Sequence, residues 1–197
     1  MRMDGNILLW IQDNLRNNVL DVIMKTITRL GDGGLIWIVI AIILLLFKKY
    51  RYAGLASAIS LILTLLTVNI CIKNVVARIR PYEVIEGLTR IVSEQSDYSF
   101  PSGHTAHSFA VGIVVFIMLP KCFGIPTLCL SVLMGLSRLY VGVHYPTDVL
   151  GGAIIGTIMA LISVFIVGKI RNKFSGKEND ISESEALNGD EEKDISE

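Results

Sequence analysis

Five apolar runs dominate this chain, each near the length that crosses a bilayer, and they restrict it more than any other feature does. Roughly 20 apolar residues wound as a helix cross about 30 Å of hydrocarbon. The runs occupy 35–47, 53–72, 105–119, 126–143 and 149–168. The first holds only 13 apolar residues and needs Gly33 and Gly34 to complete a crossing. Of the whole chain 52% is hydrophobic and 18% charged, and the mean hydropathy is +0.57, which argues against a soluble domain. The expected fold is all-α, a polytopic membrane helical bundle with about five transmembrane helices.

Ahead of the first run, Leu20, Ile23, Met24, Ile27 and Leu30 recur at helical spacing while Asp21, Lys25 and Arg29 take another face. That pattern predicts an N-terminal amphipathic helix lying in the interface, ended by the Gly-Asp-Gly-Gly of 31–34. The apolar stretch 7–11 is too short for a signal-peptide core. Residues 1–175 are expected to form the membrane domain. Residues 176–197 carry nine acids and two lysines, and their composition predicts a disordered, acidic, cytoplasmic tail.

That tail explains how 18 basic and 18 acidic residues can hide a strong asymmetry. Without it the body holds 16 basic and nine acidic residues, a balance of +7, suited to anionic lipid or phosphate. Lys48, Lys49, Arg51, Lys121, Lys169, Arg171 and Lys173 all fall on one side when five spans are counted, so that side is cytoplasmic. The loop 73–104 then lies outside, although it carries Lys73, Arg78, Arg80 and Arg90. A basic cluster on the wrong side points to a task other than topology. Cys71, Cys122 and Cys129 show neither a disulfide framework nor a metal spacing, and read as apolar filler.

Three polar clusters sit at the outer ends of apolar helices, where unpaired charge is expensive. They are KNVVARIRP (73–81), PSGHTAH (101–107) and SRLYVGVHYPTD (137–148). Lys73 and Arg80 are seven apart, two turns of one helix face, so two cations can converge on one phosphate, while Arg78 points elsewhere. Snorkelling to lipid head groups is the competing role. Pro101 and Ser102 open a helix whose free N–H groups suit an anion; Gly103 lets a ligand approach, and His104 is placed to exchange a proton. Ser102 alone also reads as a plain helix cap, and His107 as a packing residue. Arg138, inside an apolar span, needs an anionic partner. His144 and Asp148 stand four apart, and Asp148 is the only acid between residues 105 and 168. A carboxylate on one imidazole nitrogen makes the other a better nucleophile. A metal site is the weaker chemical reading, because cations outnumber candidate ligands and oppose a metal ion. The inventory suits phosphoryl transfer, where positioning and charge neutralisation do most of the work.

At these residues the sequence closely resembles the type-2 phosphatidic acid phosphatase family, whose motifs KxxxxxxRP, PSGH and SRxxxxxHxxxD all appear intact and in order over 73–148. The resemblance implies that His144 attacks phosphorus to give a phosphohistidine, with Asp148 orienting its ring. His104 then protonates the leaving oxygen and helps activate water. It also implies that Lys73, Arg80, Arg138, the Ser102 hydroxyl and the Gly103 backbone bind the non-bridging oxygens. No metal and no cofactor are implied. Many bacterial members resemble a six-span bundle, whereas this chain offers only an amphipathic helix before its first span. The related vanadium haloperoxidases share the motifs but are soluble and far larger.

The function expected is therefore hydrolysis of a lipid phosphate or pyrophosphate at the outer face of the cell membrane. Undecaprenyl pyrophosphate leads by family analogy, and phosphatidylglycerophosphate or phosphatidic acid follows. The expected partners are the bilayer and its lipid phosphate; no nucleic acid is expected, and oligomeric state leaves no mark in the sequence. A non-catalytic lipid or anion transporter is the alternative of another class. It needs the cations but gives His104, His144 and Asp148 nothing to do.

Overall fold

The N-terminal third is shaped by where helices are stopped. A computed structural model describes the backbone of residues 2–194 and the side chains of 3–173. Helix α1 (Arg2–Leu15) yields to α2 (Asn18–Leu30) at Asn17, whose side chain accepts from the N–H groups of Val19 and Leu20. Both are otherwise orphan donors of a first turn. Gly31 caps the end of α2, and the tight turn Asp32–Gly34 carries Gly33 and Gly34 at φ of 61° and 74°. Glycine alone takes such angles without strain, so the chain can bend 48° and start α3 (Leu35–Leu46) within four residues.

α4 (Arg51–Thr64) runs on through a π-helical stretch, Leu65–Ile72, into the single turn α5 (Lys73–Val76). Ala77 then turns left-handed at φ 46°, which breaks the helix before α6 (Pro81–Val84). After the loop 85–102 come α7 (Gly103–Met118), α8 (Lys121–Tyr140) and α9 (Pro146–Asp194). No strand occurs among the described residues. The expectation of a disordered cytoplasmic tail over 176–197 falls on residues whose side chains lie outside those described.

All five apolar runs are helices, and the molecule is a helical membrane bundle. Three stretches, Arg51–Val84, Lys121–Tyr140 and Pro146–Lys173, are each long and apolar enough to cross a bilayer. α2 and Asp32–Leu46 reach that length only together, as the bent pair, so the amphipathic helix is joined to the first apolar helix instead of lying apart from it. α7, with 16 residues, is about 24 Å long and falls short of a full crossing. It is instead the buried centre: Ala106, Ala110, Val111, Val114 and Val115 are wrapped by α3, α4, α8 and α9.

In lipid, apolar surface gains little by leaving its solvent, so helices associate through small residues and interhelical hydrogen bonds. α9 lies on α7 at Gly152 and Gly156, where an added Cβ would come within 2.6 Å of Ser102 O and 2.3 Å of Ala106 O. Ser60 donates to Ala110 O (3.1 Å) and Ser131 to Ser108 O (2.8 Å), tying α4 and α8 to the same centre. Leu35, Ile42, Ile62, Ile154 and Phe165 are among the large apolar side chains left exposed, as a lipid-facing surface requires. This close packing holds the start of α7 against the start of α9, where the polar clusters meet.

Candidate active site

A cavity of about 210 Å³ opens where the π-helical stretch, the loop 85–102, the start of α7 and the end of α8 converge. Lys73, Arg80, Gly103, His104, Arg138 and His144 line it, joined by Asn69, Gln95, Asp97 and the turn at Gly31, Gly33 and Gly34. Six of the eight residues singled out from sequence thus share one wall. Ser102 and Asp148, both fully buried, stand behind it.

The cations arrive by a different route from the one their spacing suggested. Lys73 and Arg80 do not share a helix face, since the helix stops at Val76 and turns at Ala77. They converge because both bind Asp97 of the loop. Lys73 Nζ pairs with Asp97 Oδ2, while Arg80 Nη2 donates to Oδ1 at 2.5 Å and Arg80 Nε to the Asp97 carbonyl at 2.9 Å. Half-burial alone would raise the Asp97 pKa, but Lys73 and Arg80 outweigh it and hold the carboxyl down at about 2. Asp97 therefore sits as an anion on two of the three cations. Arg138 donates to Thr28 Oγ1 (2.5 Å) and Gln95 Oε1 (3.3 Å), and its Nε is buried with no hydrogen-bond partner.

His144 lies in the turn between α8 and α9 with its Nε2 toward the cavity, 3.4 Å from Arg80 Nη1. Its Nδ1 is 3.4 Å from Asp148 Oδ2, adjacent but beyond a well-formed hydrogen bond. Complete burial pushes the imidazole pKa down to about 3, helped by the charges of Arg138 and Arg80 and opposed by Asp148. The ring is consequently neutral at physiological pH, the state a nitrogen nucleophile needs.

Asp148 is gripped from three sides: Ser99 Oγ (2.5 Å) and Tyr145 N (2.9 Å) donate to Oδ2, and Arg78 Nη1 donates to Oδ1 (2.6 Å). Arg78 also pairs with Asp4 and stacks over the Tyr145 ring at 3.9 Å. It does not line the cavity with Arg80 and reaches instead the carboxylate behind the nucleophile, by a route the broken helix, not its helical spacing, provides. Nothing in sequence could link residues 70 apart.

Ser102 caps α7: its hydroxyl accepts from Thr105 N at 3.4 Å and from Thr105 Oγ1 at 2.9 Å. Gly103 is buried against the cavity, with Asn69 Oδ1 and Lys73 Nζ the nearest atoms to an imagined Cβ at 3.5 and 3.7 Å. His104 Nε2 lies 3.0 Å from Asp32 Oδ1. His107 bonds Gly103 O at 2.8 Å through Nδ1, a local role consistent with packing. Asp97, Asn69 and Gln95 line the cavity, and Asp32 stands beside His104 outside its lining; sequence reasoning missed all four. The only signal for Asp32 was its place in a glycine turn, which read as a helix stop.

Two further spaces adjoin the cavity. One of about 400 Å³ shares Lys73, Arg80 and Asp97 with it, so the ion-paired loop is a partition. The other, about 280 Å³, is an apolar groove between α3 and α4 that starts at Gly33, Gly34, Leu65 and His107 of the cavity wall.

A membrane helical bundle with three histidines and three cations around one cavity defines a class, and comparison identifies it. A profile of the PAP2 superfamily matches residues 53–172, and the chain belongs to that superfamily. It is similar to an undecaprenyl-diphosphatase of Sulfolobus acidocaldarius, 32% identical over 131 residues, which are 66% of this chain and 63% of that relative. The chain thus spans less than two thirds of that protein. It is 33% identical over 150 residues to undecaprenyl-diphosphatase BcrC of Bacillus subtilis, covering 74% of each. Among solved structures it resembles the transmembrane PAP2 type phosphatidylglycerolphosphate phosphatase of Bacillus subtilis, with a TM-score of 0.68, 29% identity, and 87% and 86% of the two chains covered.

Proposed function

We propose that the protein is a metal-independent phosphatase of membrane lipids that works through a phosphohistidine, with undecaprenyl diphosphate as substrate. The observation that carries this reading is the orientation of His144, whose Nε2 faces a cavity lined by Lys73, Arg80 and Arg138 while Asp148 stands behind Nδ1. Nε2 attacks phosphorus as the P–O bond to the lipid breaks, and His104 gives the leaving oxygen its proton. Water, activated by His104, then attacks phosphorus and releases phosphate and free His144. The three cations, the Gly103 backbone and the Ser102 hydroxyl, once turned from Thr105, hold the non-bridging oxygens. Fixed positive charge in a water-poor site does what a metal ion does elsewhere. The adjoining apolar groove suits a lipid tail.

The choice of undecaprenyl diphosphate follows the names of the relatives. Phosphatidylglycerophosphate is the second reading, favoured by the broad overlap with the Bacillus subtilis structure. A transporter needs no nucleophile with a carboxylate behind it. Following the basic residues of the loops, catalysis faces outward and the tail lies in the cytoplasm.

Purified protein assayed with undecaprenyl diphosphate, phosphatidylglycerophosphate and phosphatidic acid in excess EDTA should release phosphate, fastest from the diphosphate. Activity lost in EDTA and restored by Mg²⁺ would overturn the mechanism, and a faster rate on phosphatidylglycerophosphate would overturn the substrate. In intact cells, with native cysteines replaced, an impermeant thiol reagent should label a Glu86→Cys variant and spare a Ser184→Cys variant. The reverse pattern would invert the topology.

A further inference from the structure

Of the three histidines that line the cavity, His104 and His144 each have a carboxylate beside them, and only one of those carboxylates belongs to the three sequence clusters. The other is Asp32, in the glycine turn between α2 and α3. Its Oδ1 lies 3.0 Å from His104 Nε2, and among the described residues its carboxylate has no other hydrogen-bond partner. It is not a packing residue, since its side chain is 65% exposed. The turn is shaped around this contact. An added Cβ at Gly31 would stand 2.8 Å from His104 Cδ2 and 2.7 Å from Met134 Sδ, so only glycine lets the backbone pass the ring so closely. Gly33 and Gly34, at positive φ, turn the chain away again at once. Three glycines thus bring one acid to the edge of one imidazole.

We infer that Asp32 is a positioning residue for His104, holding the proton on Nε2 so that Nδ1 is the ring nitrogen that serves the substrate. The inference rests on the reading of His104 as general acid. In the first step His104 carries both ring protons; Nδ1–H passes to the leaving oxygen as His144 Nε2 bonds to phosphorus and the P–O bond breaks. Nε2–H stays on Asp32, leaving His104 neutral and ready to take a proton from water in the second step. Burial holds the His104 pKa down at about 4, and the carboxylate on the far nitrogen opposes that by favouring the doubly protonated ring, while it fixes the ring's plane as a partner to a catalytic imidazole does. Lying beyond the ring, on the exposed edge of the turn, the acid also keeps its own negative charge away from the phosphate.

A general acid matters only when the leaving oxygen is a poor leaving group, and that separates this role from a structural one. The full chain in detergent is assayed with phosphatidic acid, which expels an alkoxide, and with a nitrophenyl phosphate bearing an alkyl tail, which expels a stable phenolate. Asp32→Asn should lower kcat/KM on phosphatidic acid about 10- to 100-fold, and about tenfold less on the nitrophenyl phosphate. Asp32→Glu should recover part of the loss, and His104→Ala should show the same substrate dependence in stronger form. Equal losses on both substrates, or none on either, with His104→Ala still discriminating, would overturn the role of Asp32 alone. If His104→Ala fails to discriminate, the general-acid reading falls and this inference falls with it.

Discussion

His104 and His144, which share the cavity, face one chemical problem from environments of different exposure. His144 and Asp148 have side chains 2% and 0% exposed, and Asp148 is held by Ser99, Tyr145 and Arg78. His104 and Asp32 are 15% and 65% exposed, and Asp32 hangs from a glycine turn. The difference matches the tasks proposed for them. A nucleophile must be neutral and fixed, and burial supplies both by excluding the charged ring and immobilising its partner. A group that alternately gives and takes a proton must reach water, and a fully buried one could not.

This contrast ranks the effects of breaking each part. Removing the nucleophile should do most: His144→Ala should lower phosphate release about 10⁴-fold or more on every substrate while the protein keeps its elution and melting behaviour. Substantial residual turnover would move the chemistry elsewhere. Asp148→Asn should cost less, about 10²-fold in kcat, because it removes orientation and charge from a nucleophile that remains. Its loss should be the same for good and poor leaving groups, unlike that of Asp32→Asn. A shared substrate dependence would erase the distinction between the two pairs.

The smallest effect belongs to the cations. Asp97 occupies Lys73 and Arg80, which hold its carboxyl down at about 2, so in the proposed mechanism an incoming phosphate displaces a charged carboxylate. Asp97→Asn should therefore tighten inhibition by orthovanadate, a mimic of five-coordinate phosphorus, about two- to tenfold. Weaker inhibition would mean that the carboxylate shapes the anion site instead of competing for it.

The apolar runs and the three clusters were legible because each is local: length and hydropathy mark a helix, and Lys73, Arg80, His104, Arg138, His144 and Asp148 stand inside short, distinctive segments. What joins the clusters was not legible. Lys73 and Arg80 were assigned to one helix face, yet the chain breaks at Ala77 and Asp97 brings them together across the loop. The bend between α2 and α3 depends on two glycines at positive φ, which a sequence records only as a stop. The partnership of Arg78 with Asp148 and that of Asp32 with His104 link residues 70 and 72 apart, and no periodicity carries such information. The five apolar runs are legible as helices, but their extents are not: α7 has 16 residues, and α2 and Asp32–Leu46 reach spanning length only as a bent pair.

The central claim is a covalent bond from phosphorus to His144. Protein mixed with a lipid substrate labelled with ³²P in the scissile phosphate, in excess EDTA, and quenched in alkali within a turnover should carry label that survives base and is lost in acid. That label should map to the peptide holding His144 and be absent from His144→Ala. Phosphate released in the first turnover with no such label, or a label that persists in His144→Ala, would contradict the account.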